Sequence, residues 1–366
     1  MRLENKMNSC VVCKTLSSLD YIKSNFEGLR VPLDGTVELT HKCNFRCVHC
    51  YGAHERAEED LSYEQWIDIF QQIKEAGCLN LIFTGGEALI RNDFKKLYLK
   101  AREMGFMVIV FSNASLLTEE IAKMFWEYPI TYFSTTMYGF TPSTYAEITG
   151  KEENYFDFMK GLQLLKKYCI PVELKAIALK ENFTELKSIY EYAKKEGYMF
   201  RCSSGIRARN DSQLTPIDYA LSPEDALKLD VEFFPERIEF WKQQAKSPCK
   251  QPYTENRRKN KFKYLCHIGE QSFMIDASGN IHCCGIERSV NMSVLENGFE
   301  MCWRELMPNV INKKTEETFK CLSCKDFRYC EQCTARIELE SSEGLVPSKE
   351  MCKLAKLRHQ WCDLNK

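Results

Sequence analysis

Apolar and polar positions along this chain alternate between two periods. Short, nearly continuous apolar runs recur at Thr36–Thr40, Leu79–Thr84, Phe106–Phe111, Ile130–Thr136, Val172–Leu179 and Tyr198–Ser203. Runs of this length, bounded by turn residues, read as buried strands. Between them the period changes. In Leu61–Gly77, Trp66, Ile69, Phe70, Ile73 and Ala76 recur at i, i+3, i+4, i+7 spacing and predict a helix with one apolar face. Helical patterns follow at Asn92–Gly105, Thr118–Tyr128, Tyr155–Tyr168 and Phe183–Gly197, two of them closed by a glycine at the stop position. Strands buried on both faces and alternating with helices predict an α/β fold with a parallel sheet and helices on one side. Six such units are too few for an eight-fold barrel, so the expected architecture is a partial (β/α)6 barrel over residues 36–206. Ligands should collect at the C-terminal ends of its strands.

Residues 1–35 form an N-terminal extension, and residues 207–262 read as a bridging helical region. The latter holds a charged helical stretch at Pro223–Ala245 and the basic run Asn256–Lys263, expected to be a solvated linker, with docking of an acidic peptide as the alternative. Cysteines return at high density in residues 263–366, which predicts a small cysteine-rich C-terminal domain. Composition changes this picture little: 44% hydrophobic and 28% charged residues are ordinary for a globular protein. A net charge of −1 provides no field for nucleic acid, and no apolar run approaches the length of a membrane span. The N-terminus lacks the apolar stretch of an export signal, so a cytoplasmic location is expected. Nineteen cysteines do change it. In a reducing compartment they read as metal ligands rather than disulfides, and as the mark of an oxygen-sensitive protein.

The sharpest feature is Cys43-Asn-Phe-Arg-Cys47-Val-His-Cys50, a C-x3-C-x2-C hairpin directly after the first strand-like run. Three thiolates so close can hold three irons of a [4Fe–4S] cube and leave the fourth iron open to a small molecule. Zinc is the alternative, but it takes two ligands per knuckle and four in all. With Tyr51 after the last cysteine, the pattern resembles the signature of the radical S-adenosylmethionine (SAM) superfamily. Gly85-Gly86-Glu87, after the second strand, resembles that family's GGE motif, which receives the amino group of SAM. Its glycines permit close backbone approach, and its carboxylate can accept hydrogen bonds from an ammonium. The resemblance also implies SAM contacts at the next strand ends, Ser112-Asn113 and Ser134, where ordinary strand-end caps are the alternative. Lys175, Asn182, Arg201, Arg207 and Arg209 are weaker candidates, and one of the arginines could pair with the SAM carboxylate.

The C-terminal cysteines, Cys266-x12-Gly279-x4-Cys284 and Cys321-x2-Cys324-x5-Cys330-x2-Cys333 followed by Cys352, resemble the SPASM domain, which binds two auxiliary [4Fe–4S] clusters. Carried over by order, the resemblance gives Cys321, Cys324, Cys330 and Cys352 to a distal cluster, and Cys266, Cys284 and Cys333 to a nearer one. The family's last spacing is x3 where Cys330 and Cys333 are separated by x2, which puts the position of Cys333 in question. The near cluster lacks an evident fourth ligand: Cys249, Cys283 in competition with Cys284, or a substrate thiolate could supply it. A zinc ribbon on the two C-x2-C pairs is the alternative, although the pairs stand closer than a ribbon's usual ~15–20 residues. Cys10 and Cys13 form a further C-x2-C pair, and His41, His49, His267 and His282 read as neighbours of the clusters rather than ligands.

The resemblance implies three [4Fe–4S] clusters and an enzyme that cleaves SAM to a 5′-deoxyadenosyl radical, which takes a hydrogen atom from the substrate. Auxiliary clusters would accept the electron left on the product or hold a substrate thiolate. Enzymes of this layout mostly modify ribosomally made peptides, so thioether or carbon–carbon crosslink formation on a leader-bearing peptide is the first expectation. A formylglycine-forming oxidase or a tetrapyrrole- or cofactor-modifying enzyme is the second, and a multi-cluster electron carrier the third. Only about 35 residues precede the first strand, so leader recognition would fall to a separate protein or another surface. A flavodoxin or ferredoxin would supply electrons.

Overall fold

The computed structural model describes residues 29–52, 59–246, 252–331 and 333–365. Cys10, Cys13 and Cys249 lie outside the described residues. Each expected strand forms, trimmed by one or two residues at an end or shifted in register. β1 is Asp34–Glu38, β2 Asn80–Thr84, β3 Met107–Phe111, β4 Tyr132–Thr136, β5 Val172–Ile177 and β6 Met199–Ser203. All pair in parallel in the order β6-β5-β4-β3-β2-β1, the partial barrel that the periodicity implies.

The helices cover the sheet as their stripes require. Tyr63–Glu75 buries Trp66, Ile69, Phe70 and Ile73, and Ser62 opens it with a capping box shared with Gln65. Phe70 stacks on Phe83 of β2 with ring centroids 5.5 Å apart. Leu186–Glu196 ends at Gly197 in the left-handed conformation (φ 73°), which glycine adopts without the Cβ penalty. The short helix Pro142–Thr149 escapes the periodicity, because so short an element has only Tyr145, Ile148 and Thr149 to bury.

Three features differ from expectation. The sheet does not end at β1: β7 (Ser272–Ile275) pairs with it in parallel, and β8 (Asn280–His282) and β9 (Met292–Ser293) extend it antiparallel. The C-terminal region therefore grows from the barrel edge, and one apolar core runs from Val37 to Ala335. The charged stretch at Pro223–Ala245 is two helices, Pro223–Phe233 and Pro235–Lys246, because Pro235 pushes Phe234 out of helical geometry (φ −133°, ψ 60°). The basic run is also more than a solvated linker. Arg257 is 6% exposed and its Nε donates to the Tyr264 carbonyl at 2.6 Å, while buried Lys263 pairs with Glu338. No helix among the described residues is long and apolar enough to cross a membrane.

Candidate active site

The loop after β1 carries Cys43, Cys47 and Cys50 to the C-terminal rim of the sheet, and backbone contacts hold it there. Asp60 accepts from Thr40 Oγ1 at 2.6 Å and from the His41 amide at 2.8 Å. The Gly86 amide donates to the Thr40 carbonyl at 2.8 Å, and the Glu87 amide to Lys42 at 2.8 Å. At its far end the Val48 amide donates to Ile148 at 3.0 Å, at the end of the short helix. The two glycines are required by this packing. A Cβ on Gly85 would lie 2.5 Å from the Thr40 carbonyl oxygen, and one on Gly86 2.3 Å from that of Lys42. Sequence reasoning assigned the close approach to a ligand; here the first thing approached is the cysteine loop itself.

The Glu87 carboxylate is buried: Oε1 accepts from the Leu89 amide at 2.9 Å and Oε2 from the Asn113 amide at 2.7 Å. It ties the loops after β2 and β3 together. The remaining candidates do face a common cavity of about 490 Å³ lined by the three cysteines, Tyr51, Gly85, Gly86, Ser112, Asn113 and Ser134. Asn113 Nδ2 reaches Asn44 Oδ1 at 2.9 Å, and Ser134 Oγ donates to Glu173 at 2.6 Å. Lys175 and Arg207 line the same space. Asn182 does not: its amide staples the β5 loop to the Tyr138 and Ile177 carbonyls at 2.7 and 2.8 Å. Arg201 and Arg209 are paired with Glu173 and Asp211, each at 3.1 Å.

The three thiols of the loop are held close together and partly withdrawn from water. Burial raises Cys43 to about 11, and it raises Cys47 further, with the charges of Cys50 and Cys43 adding to it. The Phe45 amide points at Cys43 Sγ at 3.4 Å, a donor suited to a bound thiolate. The three thiols line one cavity, which suits a cluster, and iron binding would displace their protons. His49 lines the cavity beside Tyr138, its ring centroid 5.2 Å away; burial lowers its pKa to about 4, and its Nδ1 has no hydrogen-bond partner among the described residues.

The C-terminal cysteines fall into two groups. Burial raises Cys266 to about 11, and the charges of Cys333 and Cys284 add to it, which brings these three residues together. Cys284 Sγ receives the Ile286 and Glu287 amides at 3.4 and 3.2 Å. Cys283 points the other way, into the core, 3.2 Å from Met307 Sδ. Burial likewise raises Cys330 to about 12, and Cys321, Cys352 and Cys324 surround it. Among the described residues no three His, Cys, Asp or Glu side chains are grouped as ligands of a single metal ion. His41, His267 and His282 are engaged by Ser278, Glu270 and Asp276 at 3.0, 2.8 and 2.9 Å. Two arginines join the C-terminal region to the barrel. Arg288 makes a bidentate pair with Glu38 of β1 at 2.9 and 2.7 Å, and Arg207 donates to the Gly285 carbonyl at 3.2 Å.

Comparison with known proteins agrees with this geometry. The Radical SAM superfamily profile matches residues 37–193. An AdoMet-dependent heme synthase of Methanosarcina barkeri is 23% identical over 314 residues, which cover 82% of this chain and 90% of the relative. Streptococcus suis SuiB bound to S-adenosylmethionine has the same fold, with a TM-score of 0.65 and 16% identity over 92% of this chain and 83% of SuiB. The structure of anSMEcpe with bound AdoMet and Kp18Cys peptide gives a TM-score of 0.65 and 15% identity over 91% and 98%. Residues 37–193 thus form a radical SAM domain, whose strand-end cavity and three-cysteine loop suit SAM and a [4Fe–4S] cluster.

Proposed function

We propose that this chain is a peptide-modifying radical SAM enzyme of the SPASM type, forming a thioether or carbon–carbon crosslink by net two-electron oxidation. One observation carries the reading. The wall of the SAM cavity includes Ile286, two residues beyond Cys284, so a substrate there lies between the first cysteine loop and the near auxiliary thiols. When bound, SAM and its reduced cluster supply a 5′-deoxyadenosyl radical that removes a hydrogen atom from the substrate. Cys43, Cys47 and Cys50 would hold that cluster. Cys266, Cys284 and Cys333 would hold the near auxiliary cluster, and Cys321, Cys324, Cys330 and Cys352 the distal one. The backbone at Gly85 and Gly86 with Asn113 and Ser134 would orient SAM, while Phe111, Ile177 and Ile206 exclude water from the reacting space. A small electron donor such as a flavodoxin or ferredoxin would reduce the enzyme. The fold shared with SuiB, solved bound to precursor peptide SuiA, supports a peptide substrate.

A second reading, modification of a tetrapyrrole, is favoured by the similarity to the heme synthase over most of both chains. Mass spectrometry separates the two. The reconstituted enzyme is incubated with SAM, dithionite and either a peptide encoded beside its gene or Fe-coproporphyrin III. A peptide two hydrogens lighter carries the first reading; a tetrapyrrole that has lost CO2 and hydrogen replaces it with the second. Absence of 5′-deoxyadenosine in every incubation overturns both.

A further inference from the structure

Cations on the wall of an active-site cavity are normally neutralised by carboxylates, because an unpaired buried charge is costly. Two cations of this cavity have no carboxylate within salt-bridge distance among the described residues. Its lining carboxylate, Glu38, is taken by Arg288 through two hydrogen bonds of 2.9 and 2.7 Å. Lys175 lies with its Nζ 3.8 Å from the centre of the Phe111 ring. The nearby Glu173 carboxylate is already engaged by Ser134 and Arg201, at 2.6 and 3.1 Å. Arg207 stands over the Tyr51 ring at 4.2 Å and donates to Asn210 Oδ1, Gly285 O and Ala208 O at 2.9, 3.2 and 3.3 Å. These contacts fix its plane and leave its Nε–H and one Nη2 hydrogen without an acceptor among the described residues. Two parallel N–H groups are the fork that takes a carboxylate in bidentate fashion.

SAM brings one carboxylate, next to its amino group, and the cavity offers two cations. Lys175 of β5 pairs in register with Thr136 of β4, two strands from Phe111 of β3, and lines the cavity together with Ser134. Arg207 lies past β6, over Tyr51 and against Gly285, on the side of the near auxiliary thiols. We propose that Lys175 takes the SAM carboxylate and that Arg207 receives a carboxylate of the substrate, placing an acidic group beside Tyr51 at the Cys284 side of the cavity. The proposal rests on the radical SAM reading and adds the substrate's chemical class. An aspartate or glutamate of a peptide and a propionate of a tetrapyrrole carry the same group, so the probes must tell the sources apart.

The test uses the full chain, reconstituted anaerobically, as wild type, Arg207→Gln, Arg207→Lys and Lys175→Gln. Two probe pairs are titrated by fluorescence: Fe-coproporphyrin III against its tetramethyl ester, and a glutamate-containing ten-residue peptide against its glutamine twin. SAM affinity is measured in parallel by equilibrium dialysis. The expected result is that one acidic probe binds the wild type about tenfold or more tightly than its neutral twin, the loss of a charge-assisted hydrogen bond. Arg207→Gln removes that preference and Arg207→Lys restores part of it, while only Lys175→Gln weakens SAM binding by a similar factor. The pair that discriminates identifies the source of the carboxylate. If neither acidic probe outbinds its twin, the proposal is overturned. It is also overturned if Arg207→Gln shifts a cluster midpoint potential and leaves probe affinity unchanged, since Arg207 then serves the clusters. Production of 5′-deoxyadenosine by the wild type is scored separately. Its absence removes the enzymatic reading, and its presence with indifferent probes removes only this inference.

Discussion

The two sides of the cavity are built in opposite ways. On the barrel side, Cys43, Cys47 and Cys50 come from eight consecutive residues held by backbone hydrogen bonds to Gly86, Glu87 and Ile148 and by the Asp60 carboxylate. On the C-terminal side, Cys266, Cys284 and Cys333 arrive from distant segments, and the seven residues from Cys324 to Cys330 hold one turn and one 3-10 element at Phe327–Tyr329. The sheet presets the first site. The second takes its thiols from loops, short 3-10 elements and the helix Lys349–Leu364, and bound clusters would draw these segments together. The first site should therefore lose chemistry without losing fold, and the second should lose both.

The largest effect that would break this contrast is expected from the cysteines. Cys43→Ala should abolish 5′-deoxyadenosine formation and leave hydrogen-exchange protection of β1–β6 at wild-type levels. Cys330→Ala should instead expose residues 320–364 to exchange while β1–β6 stay protected. Equal loss of protection in the two variants would contradict the distinction. Next comes Arg288→Met, which leaves Glu38 buried without its partner where the C-terminal region meets β1. The expected cost is about 3–5 kcal/mol in denaturant unfolding, the range for breaking a buried pair. Restoring most of it with Glu38→Gln in the same chain would sharpen the assignment.

Smaller is Gly86→Ala, whose Cβ would meet the Lys42 carbonyl at 2.3 Å and push the cysteine loop off the rim. SAM affinity by equilibrium dialysis should fall about tenfold, or about 1.4 kcal/mol. The smallest effect concerns pH. Burial lowers Lys175 to about 8, opposed by Glu173 and aided by Arg201. A cation that loses its proton as pH rises through about 8 stops attracting a carboxylate, so SAM affinity should decline a few-fold between pH 7 and pH 9. In Lys175→Arg, which keeps its charge, the profile should be flat; a decline in both would place the titrating group elsewhere.

The barrel and its cysteine loop were legible in the sequence because each rests on local signals. The apolar runs of β1 to β6 and the stripe of Trp66, Ile69, Phe70 and Ile73 are periodic. The spacing of Cys43, Cys47 and Cys50 is chemistry written in consecutive residues. What stayed hidden is set by tertiary contacts. The pairing of β7 with β1 joins strands more than two hundred residues apart, and so does the Glu38–Arg288 bridge. The clamp that Glu87 makes on the Leu89 and Asn113 amides is likewise not written in a three-residue motif. Arg257 lies in a basic run whose charge suggests solvent, yet two carbonyl acceptors, Tyr264 and Ile311, hold it inside.

The central claim is one SAM cluster on the barrel loop and two auxiliary clusters on the C-terminal cysteines. Iron and sulfide content after anaerobic reconstitution tests it most directly, in wild type and in the Cys43/Cys47/Cys50→Ala variant. The account predicts about twelve irons per chain falling to about eight. An unchanged iron content in the variant would contradict it.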